Sequence, residues 1–286
     1  MRDAYYLTLS CANQPGIVAA VAACLYEAGG NILEAQQFDD LAASRFFMRV
    51  ELDVARGSIS ESALRERFAP VGHKYAVAWK LRPRGHRQRV LMLVSKFDHC
   101  LGDLLYRLRI GELPMEVVGI VSNHPKEALN LNLVGDIPYH YLPVTAATKP
   151  QQEAQIKRVA EETKAELIVL ARYMQILSDD MSAYVSGRCI NIHHSFLPGF
   201  KGAKPYTQAF DRGVKMIGAT AHYVTADLDE GPIIVQDTEL VSHVDTPDTL
   251  ARKGRDIARR VLARAVLYHL EDRVLVNGNK TVVFRD

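Results

Sequence analysis

The run Asn191-Ile192-His193-His194-Ser195-Phe196-Leu197-Pro198 leaves a buried, strand-like segment and turns polar at once, bounded by a proline. Asn191 and His193 are two positions apart, so on an extended chain both side chains project to the same side. An amide donor and an imidazole converging on one point suit a carbonyl oxygen that becomes an oxyanion. Downstream, Asp227-Leu228-Asp229-Glu230-Gly231-Pro232 puts carboxylates on a loop just ahead of another apolar strand. If the fold returns that loop to the same strand end, amide, imidazole and carboxylate share one site, a set suited to acyl transfer or hydrolysis. Each residue alone has a plainer reading. An Asn or His at a strand end commonly bonds a neighbouring turn, and Asp229 beside Gly and Pro is an ordinary turn residue. His222, on the apolar strand ahead of the Asp229 loop, reads either as a support behind the reacting groups or as a hydrogen-bonded core histidine. His193 and His194 are adjacent, so on a strand they face opposite ways, and no ligand cluster of recognised spacing accompanies them. No metal is expected.

Two groups of elements must position these residues. Tyr5 to Leu9 reads as a strand, followed by Asn13-Gln14-Pro15-Gly16, where a small polar cap precedes a proline suited to the first helical turn. Ile17, Val21 and Leu25 share one face of the helix that follows, and Gly29-Gly30 ends it. Strands over Ile32 to Phe38 and Arg45 to Leu52 come next. Ser58 with Glu61 suggests a capping box for a helix carrying Leu64 and Phe68, and Tyr75 to Trp79 supplies a last strand. This is a βαββαβ unit. The basic stretch Lys80 to Arg89 holds both Pro and Gly, and residues 83–89 are taken as a linker between domains at 1–82 and 90–286. Beyond it, apolar runs at Val90–Val94, Val117–Val121, Leu167–Leu170 and Cys189–Ile192 alternate with helical segments, the pattern of a mostly parallel sheet covered on both faces. Such sheets bind ligands beyond the carboxyl ends of their strands. A long helix opening at Thr246-Pro247-Asp248 and a hairpin over Arg273–Val276 and Val282–Phe284 close this α/β chain.

Composition narrows the function classes. With 35 Lys and Arg against 33 Asp and Glu, the formal net charge is +2 over 286 residues, so neither nucleic acid nor a membrane surface is an expected partner. The four cysteines lie far apart without a C-x-x-C pair and read as free thiols of a reducing compartment. Met1-Arg2-Asp3-Ala4 leads into a strand and not a signal peptide, and the apolar stretch Ile17 to Tyr26 is too short to span a bilayer. A cytoplasmic protein is expected.

Residues 191–232 carry Asn191, His193, Ser195, Leu197-Pro198 and Leu228-Asp229-Glu230-Gly231-Pro232 in one order. This pattern resembles the folate-dependent formyltransferase-like domain. Over nearly its full length the chain is similar to the formyltetrahydrofolate deformylases. The narrower markers are Val94-Ser95-Lys96 with Asp98-His99-Cys100-Leu101, Ser122-Asn123-His124-Pro125, Gly202-Ala203-Lys204-Pro205-Tyr206 and Gly218-Ala219-Thr220-Ala221-His222-Tyr223. The amino-terminal unit resembles an ACT domain, with Asn13-Gln14-Pro15-Gly16-Ile17 at its strand-to-helix turn.

The resemblance implies a ferredoxin-like ACT domain ahead of a Rossmann-like formyltransferase domain. It implies that Asn191, His193 and Asp229 are catalytic, with His194 and His222 as supporting residues. Tyr173, Met174, Gln175, Ile176 and Leu177, together with Thr225, Ala226, Asp227 and Leu228, would hold the pterin and its formyl arm. Gln175 stands where relatives often have Arg or Lys, so only backbone contacts are expected there. The implied activity is hydrolysis of 10-formyltetrahydrofolate to formate and tetrahydrofolate, supplying formate to purine synthesis and balancing one-carbon pools, with no bound cofactor.

Related transferases that use a phosphorylated amine carry a Gly/Ser-rich turn after the first strand of this domain. Here the turn is Ser95-Lys96-Phe97-Asp98-His99-Cys100, without glycine, so water is favoured as acceptor. His194 replaces a proline usual in transferases and reads either as a surface histidine or as one lining the acceptor side. Transfer to an amine, or sensing of formylfolate without turnover, are the alternatives. An ACT-like unit further implies a small amino-acid effector at Asn13 to Ile17 and Asn31, and a homo-oligomer, dimer or tetramer.

Overall fold

β1 (Arg2–Ala12) buries Tyr5, Leu7, Leu9 and Cys11, alternate residues that share one face of a pleated strand. α1 (Ile17–Glu27) turns Ile17, Val21 and Leu25 inward, and β2 (Gly30–Asp40), β3 (Arg45–Ala55), α2 (Glu61–Lys74) and β4 (Ala78–Pro83) follow. Their sheet has the order β2-β3-β1-β4 with every neighbouring pair antiparallel. Leu64 and Phe68 of α2 join α1 against Leu7, Leu9, Val50 and Leu52 in one core. This is the expected βαββαβ unit.

Three local expectations need correction. Pro15 lies ahead of α1 and not in its first turn, because Gly16 takes a left-handed conformation at φ 91° and redirects the chain. The cap of α2 is Ser60, not Ser58: Ser60 is extended and accepts from the Ala63 amide at 3.1 Å, while the Ser58 hydroxyl donates to the Ala55 carbonyl. The last strand begins at Ala78 and not Tyr75, because Tyr75 still caps α2 and Ala76 is left-handed at φ 49°.

In this computed structural model, which describes residues 2–129, 132–199 and 205–285, two compact units are present. The first comprises the chain up to His86 with Glu271–Asn277 and the residues from Thr281 on; the second comprises Arg87–Leu270 and Gly278–Lys280. The second is built from β5 (Gln88–Val94), α3 (His99–Arg109), β6 (Met115–Ser122), β7 (Tyr139–Tyr141), α4 (Lys149–Glu162), β8 (Leu167–Leu170), α5 (Asp179–Tyr184), β9 (Cys189–His193), α6 (Pro205–Arg212), β10 (Met216–Tyr223), β11 (Ile233–Leu240) and α7 (Pro247–Leu270). Its sheet runs β11-β10-β9-β8-β5-β6-β7. β7, β6, β5, β8 and β9 are parallel, while β10 is antiparallel to both its neighbours. Strand order reverses between β5 and β8, which opens a crevice at their carboxyl ends.

A hairpin of β12 (Val274–Asn277) and β13 (Lys280–Val283) closes the chain. The sequence reading assigns it to the second domain; by contacts most of it groups with the first unit. Arg49 donates to the Glu271 carbonyl at 3.1 Å, and Lys80 and Arg82 pair with Asp272 at 3.1 and 2.6 Å. Among the described residues, no helix is long and apolar enough to cross a membrane, and all four cysteines are free.

Candidate active site

β9 buries Cys189, Ile190 and Ile192 and delivers Asn191 and His193 at its carboxyl end. Register then fixes their neighbours. Asn191 lies opposite Leu170 of β8 on one side and His222 of β10 on the other, and His193 lies opposite Thr220. The loop from β10 to β11 returns Asp229 to the same end, with Asp229 left-handed at φ 58°, a conformation Asp tolerates better than most residues. Gly231 makes the return possible, since a Cβ there would overlap the Tyr223 carbonyl oxygen.

The three sequence-predicted groups therefore converge on one carboxylate. Asp229 Oδ2 is 3.0 Å from His193 Nδ1, and Oδ1 accepts from Asn191 Nδ2 at 3.4 Å. His222 donates Nδ1–H to the Tyr223 carbonyl at 2.9 Å. Its Nε2 stands 3.3 Å from Asn191 Nδ2 and 3.5 Å from Asp229 Oδ1, so it accepts from the amide when neutral and donates to the carboxylate when protonated. Burial pushes the Asp229 carboxyl up, but hydrogen bonds from His193 and His222 outweigh it and hold it well below the usual carboxylate range. His193 Nε2 is buried and has no partner among the described residues.

His194 departs from the expectation of opposite faces. β9 ends at His193, so strand alternation stops there, and the two rings stand 5.4 Å apart on the wall of the same cavity. Its Nδ1 lies 2.5 Å from Arg172 Nη1. A guanidinium only donates, so Nδ1 accepts and the ring proton sits on Nε2. Burial first, then the charge of Arg172, pushes the His194 pKa down to about 3. It is neutral at ordinary pH.

The cavity, of about 460 Å³, is lined by Asn191, His193, His222 and Asp229 and by both predicted folate segments, Tyr173 to Leu177 and Thr225 to Leu228. Met174, Ile176 and Leu228 are exposed apolar side chains, a surface suited to a flat heterocycle. Tyr173 differs from a polar contact: its ring is buried and its hydroxyl is bonded to Gln152 at 2.9 Å. Gln175 is half-buried on the cavity wall.

Other residues hold the site without having been given a role from sequence. Ser95 accepts from the Met174 amide at 2.9 Å and donates to Asn123 Oδ1 at 2.7 Å, joining the ends of β5 and β6 to the loop after β8. Thr220 accepts from the Leu197 amide and donates to the Ser195 carbonyl, fixing the turn that follows His193. Arg172 is buried on the cavity wall. Its one sequence signal is a charged residue at the end of the apolar run Leu167 to Ala171. The marker residues Gly202, Ala203 and Lys204 lie outside the described residues. Among the described residues no group of three or more His, Cys, Asp or Glu is arranged to hold a metal ion.

Within the first unit, Asn13, Gln14, Gly16 and Ile17 line a shallow cavity that Pro15 and Asn31 do not line. Asn13 donates to Asp39 at 2.6 Å and Gln14 to the Tyr75 carbonyl at 3.3 Å. Asn31 is exposed on β2.

The Formyl transferase family matches residues 88–266, and the ACT domain family matches residues 5–68. A formyltetrahydrofolate deformylase of Corynebacterium sp. (strain P-1) is 48% identical over 98% of this chain and 98% of its own length. One from Bacillus subtilis is 48% identical over 97% of this chain and 93% of its own length. The crystal structure of formyltetrahydrofolate deformylase from Burkholderia mallei superposes with a TM-score of 0.93 at 49% identity, covering 99% of this chain and all of that one. With both parts matched in one chain and relatives alike from end to end, the chain belongs to the formyltetrahydrofolate deformylase family.

Proposed function

We propose that this chain hydrolyses 10-formyltetrahydrofolate to formate and tetrahydrofolate, with Asn191, His193 and Asp229 as its catalytic groups. The observation that carries the reading is the gathering of Asn191, His193 and His222 around the Asp229 carboxylate, within one cavity walled by apolar side chains. Asp229 holds Nδ1–H of His193, which leaves Nε2 as the nitrogen open to proton exchange. The pair takes a proton from water as the water oxygen bonds to the formyl carbon. Because the Asp229 carboxyl is held low, the proton resides on the imidazole. Asn191 turns its amide from Asp229 to the developing oxyanion, where a fixed donor is worth most. The bond from carbon to N10 then breaks, N10 receives the proton from His193, and the formic acid ionises and leaves as formate.

Water is the acceptor in this reading because the turn after β5 offers no glycine amides for a phosphate, and Ser95 is already bonded to Asn123 and Met174. Release of formate from 10-formyltetrahydrofolate, followed with and without amines, tests it. Hydrolysis that stays slow until an amine is added overturns it in favour of a transferase. No cofactor enters the scheme, so dialysis against a chelator should leave the rate unchanged; a loss restored by a divalent metal would contradict it.

The match to an ACT domain and the cavity beside Asn13 to Ile17 support a small amino acid as effector of the first unit, acting in a cytoplasmic dimer or tetramer. Calorimetric titration with single amino acids, paired with sedimentation velocity, tests both. No heat with any amino acid rejects the effector, and a monomer at micromolar concentration rejects the oligomer.

A further inference from the structure

Arg172 stands on the wall of the cavity that holds Asn191 and His193, and it is only 9% exposed. A charge so buried normally faces a carboxylate, because desolvation without a counter-ion is costly. None of the described carboxylates lies within ion-pair distance of it. Its Nη1 donates to His194, and its Nε is buried with no partner among the described residues. His194 is neutral and supplies no counter-charge. The backbone adds a second oddity. Arg172 is left-handed at φ 66°, a conformation that favours glycine and is strained for a long side chain. A strained position therefore carries an unneutralised cation beside the reacting groups.

The chemistry of hydrolysis supplies the missing charge. Transfer of a formyl group to an amine yields a neutral amide. Attack by water yields a carboxylic acid that ionises at neutral pH, so only the hydrolase creates an anion at this spot. A guanidinium is the side chain whose planar donors match a carboxylate. We propose that Arg172, steadied by His194, is the binding site for the formate anion released in the reaction. The proposal rests on the deformylase reading for the identity of the anion, but the site can be tested without turnover.

The probe is sodium formate, titrated into the folate-free protein and followed by the line width of 13C-formate, with sodium chloride holding ionic strength constant. Arg172→Gln and Arg172→Gly should weaken formate binding roughly ten- to a hundredfold, the worth of a charge-assisted hydrogen bond. Glycine relieves the left-handed backbone, so Arg172→Gly is expected to fold, and guanidinium ion at millimolar concentration should restore part of its formate affinity. Arg172→Lys, which keeps the charge and loses the fork, should fall between. Equal formate affinity in wild type and Arg172→Gly overturns the site. So does displacement of formate by chloride at equal concentration, which would mark a general anion hole. Failure of the wild type to release formate from 10-formyltetrahydrofolate would defeat the deformylase reading alone, since the titration judges Arg172 separately.

Discussion

Both oxygens of Asp229 are engaged, Oδ2 by His193 and Oδ1 by Asn191, with His222 Nε2 3.5 Å from Oδ1, so the carboxylate is held from several sides before substrate arrives. Replacing it with asparagine keeps the shape and removes the charge. Asp229→Asn, His193→Ala and Asn191→Ala should each lower turnover roughly a hundred- to a thousandfold, the usual loss for one such group, with far-ultraviolet circular dichroism unchanged. Full activity in Asp229→Asn would remove the carboxylate from the mechanism. The acid response follows from other groups. The Asp229 carboxyl is depressed in the folded state, so its stabilisation is lost only as pH falls below its unfolded value of 3.8. His194 and His99 are different: burial, with Arg172 next, lowers them from 6.5 to about 3 and about 4. Between those values and 6.5 the unfolded chain binds more protons than the folded one, so stability rises with pH across that window. Urea midpoints measured from pH 5 to 7.5 should therefore climb, and His194→Asn should flatten the climb; an unchanged slope would show that His194 is not buried neutral. From sequence, the trio is readable because strand alternation and motif order both point to it. Arg172 is not, because what singles it out is the want of a counter-ion in three dimensions.

Elements were legible wherever one rule governed them. The apolar runs of β5, β6, β8 and β9 announce buried parallel strands, and α7 announces itself by length and by Pro247 at its start. Reading failed where two neighbours satisfy the same rule. Ser58 and Ser60 are both plausible caps, and only the extended backbone at Ser60 decides between them. The turn of Ala76 that delays β4, and the one at Gly16 that excludes Pro15 from α1, are single left-handed residues without a periodic signature. The β10–β11 loop shows how an element serves the site. The amide of Tyr223 donates to the Pro232 carbonyl at 2.9 Å across the base of that loop, and the space a side chain would need at Gly231 is filled by the Tyr223 carbonyl. Gly231→Ala must push the loop outward and carry Asp229 with it. Misplacement of a reacting group by about 1 Å costs on the order of a hundredfold. The expected result is a fall of that order in kcat in a folded protein. A variant with wild-type kcat would show that the loop tolerates displacement.

At the scale of the whole molecule, the first unit is discontinuous in sequence. The chain leaves it at His86, builds the second unit, and comes back at Glu271. No boundary read from composition anticipates that return, because the tie is made by single side chains. Arg82 and Asp272 are 7% and 10% exposed and pair at 2.6 Å, whereas Lys80, on the same carboxylate, is 56% exposed. Removing one partner of a buried pair strands the other, at a cost of about 3–5 kcal/mol, while an exposed lysine contributes about 0–1 kcal/mol. Asp272→Asn should thus destabilise the first unit far more than Lys80→Ala. The chain supplies its own reporter. Its only tryptophan, Trp79, lies on β4, half-buried and packed against the first unit's core with its ring centroid 4.9 Å from that of Phe68. In urea titrations, Asp272→Asn should move the Trp79 fluorescence transition to lower denaturant while formate release, carried by groups of the second unit, keeps its midpoint. If Lys80→Ala and Asp272→Asn shift the fluorescence equally, the buried pair is not what secures the returning segment. If fluorescence and activity shift together, the two units unfold as one.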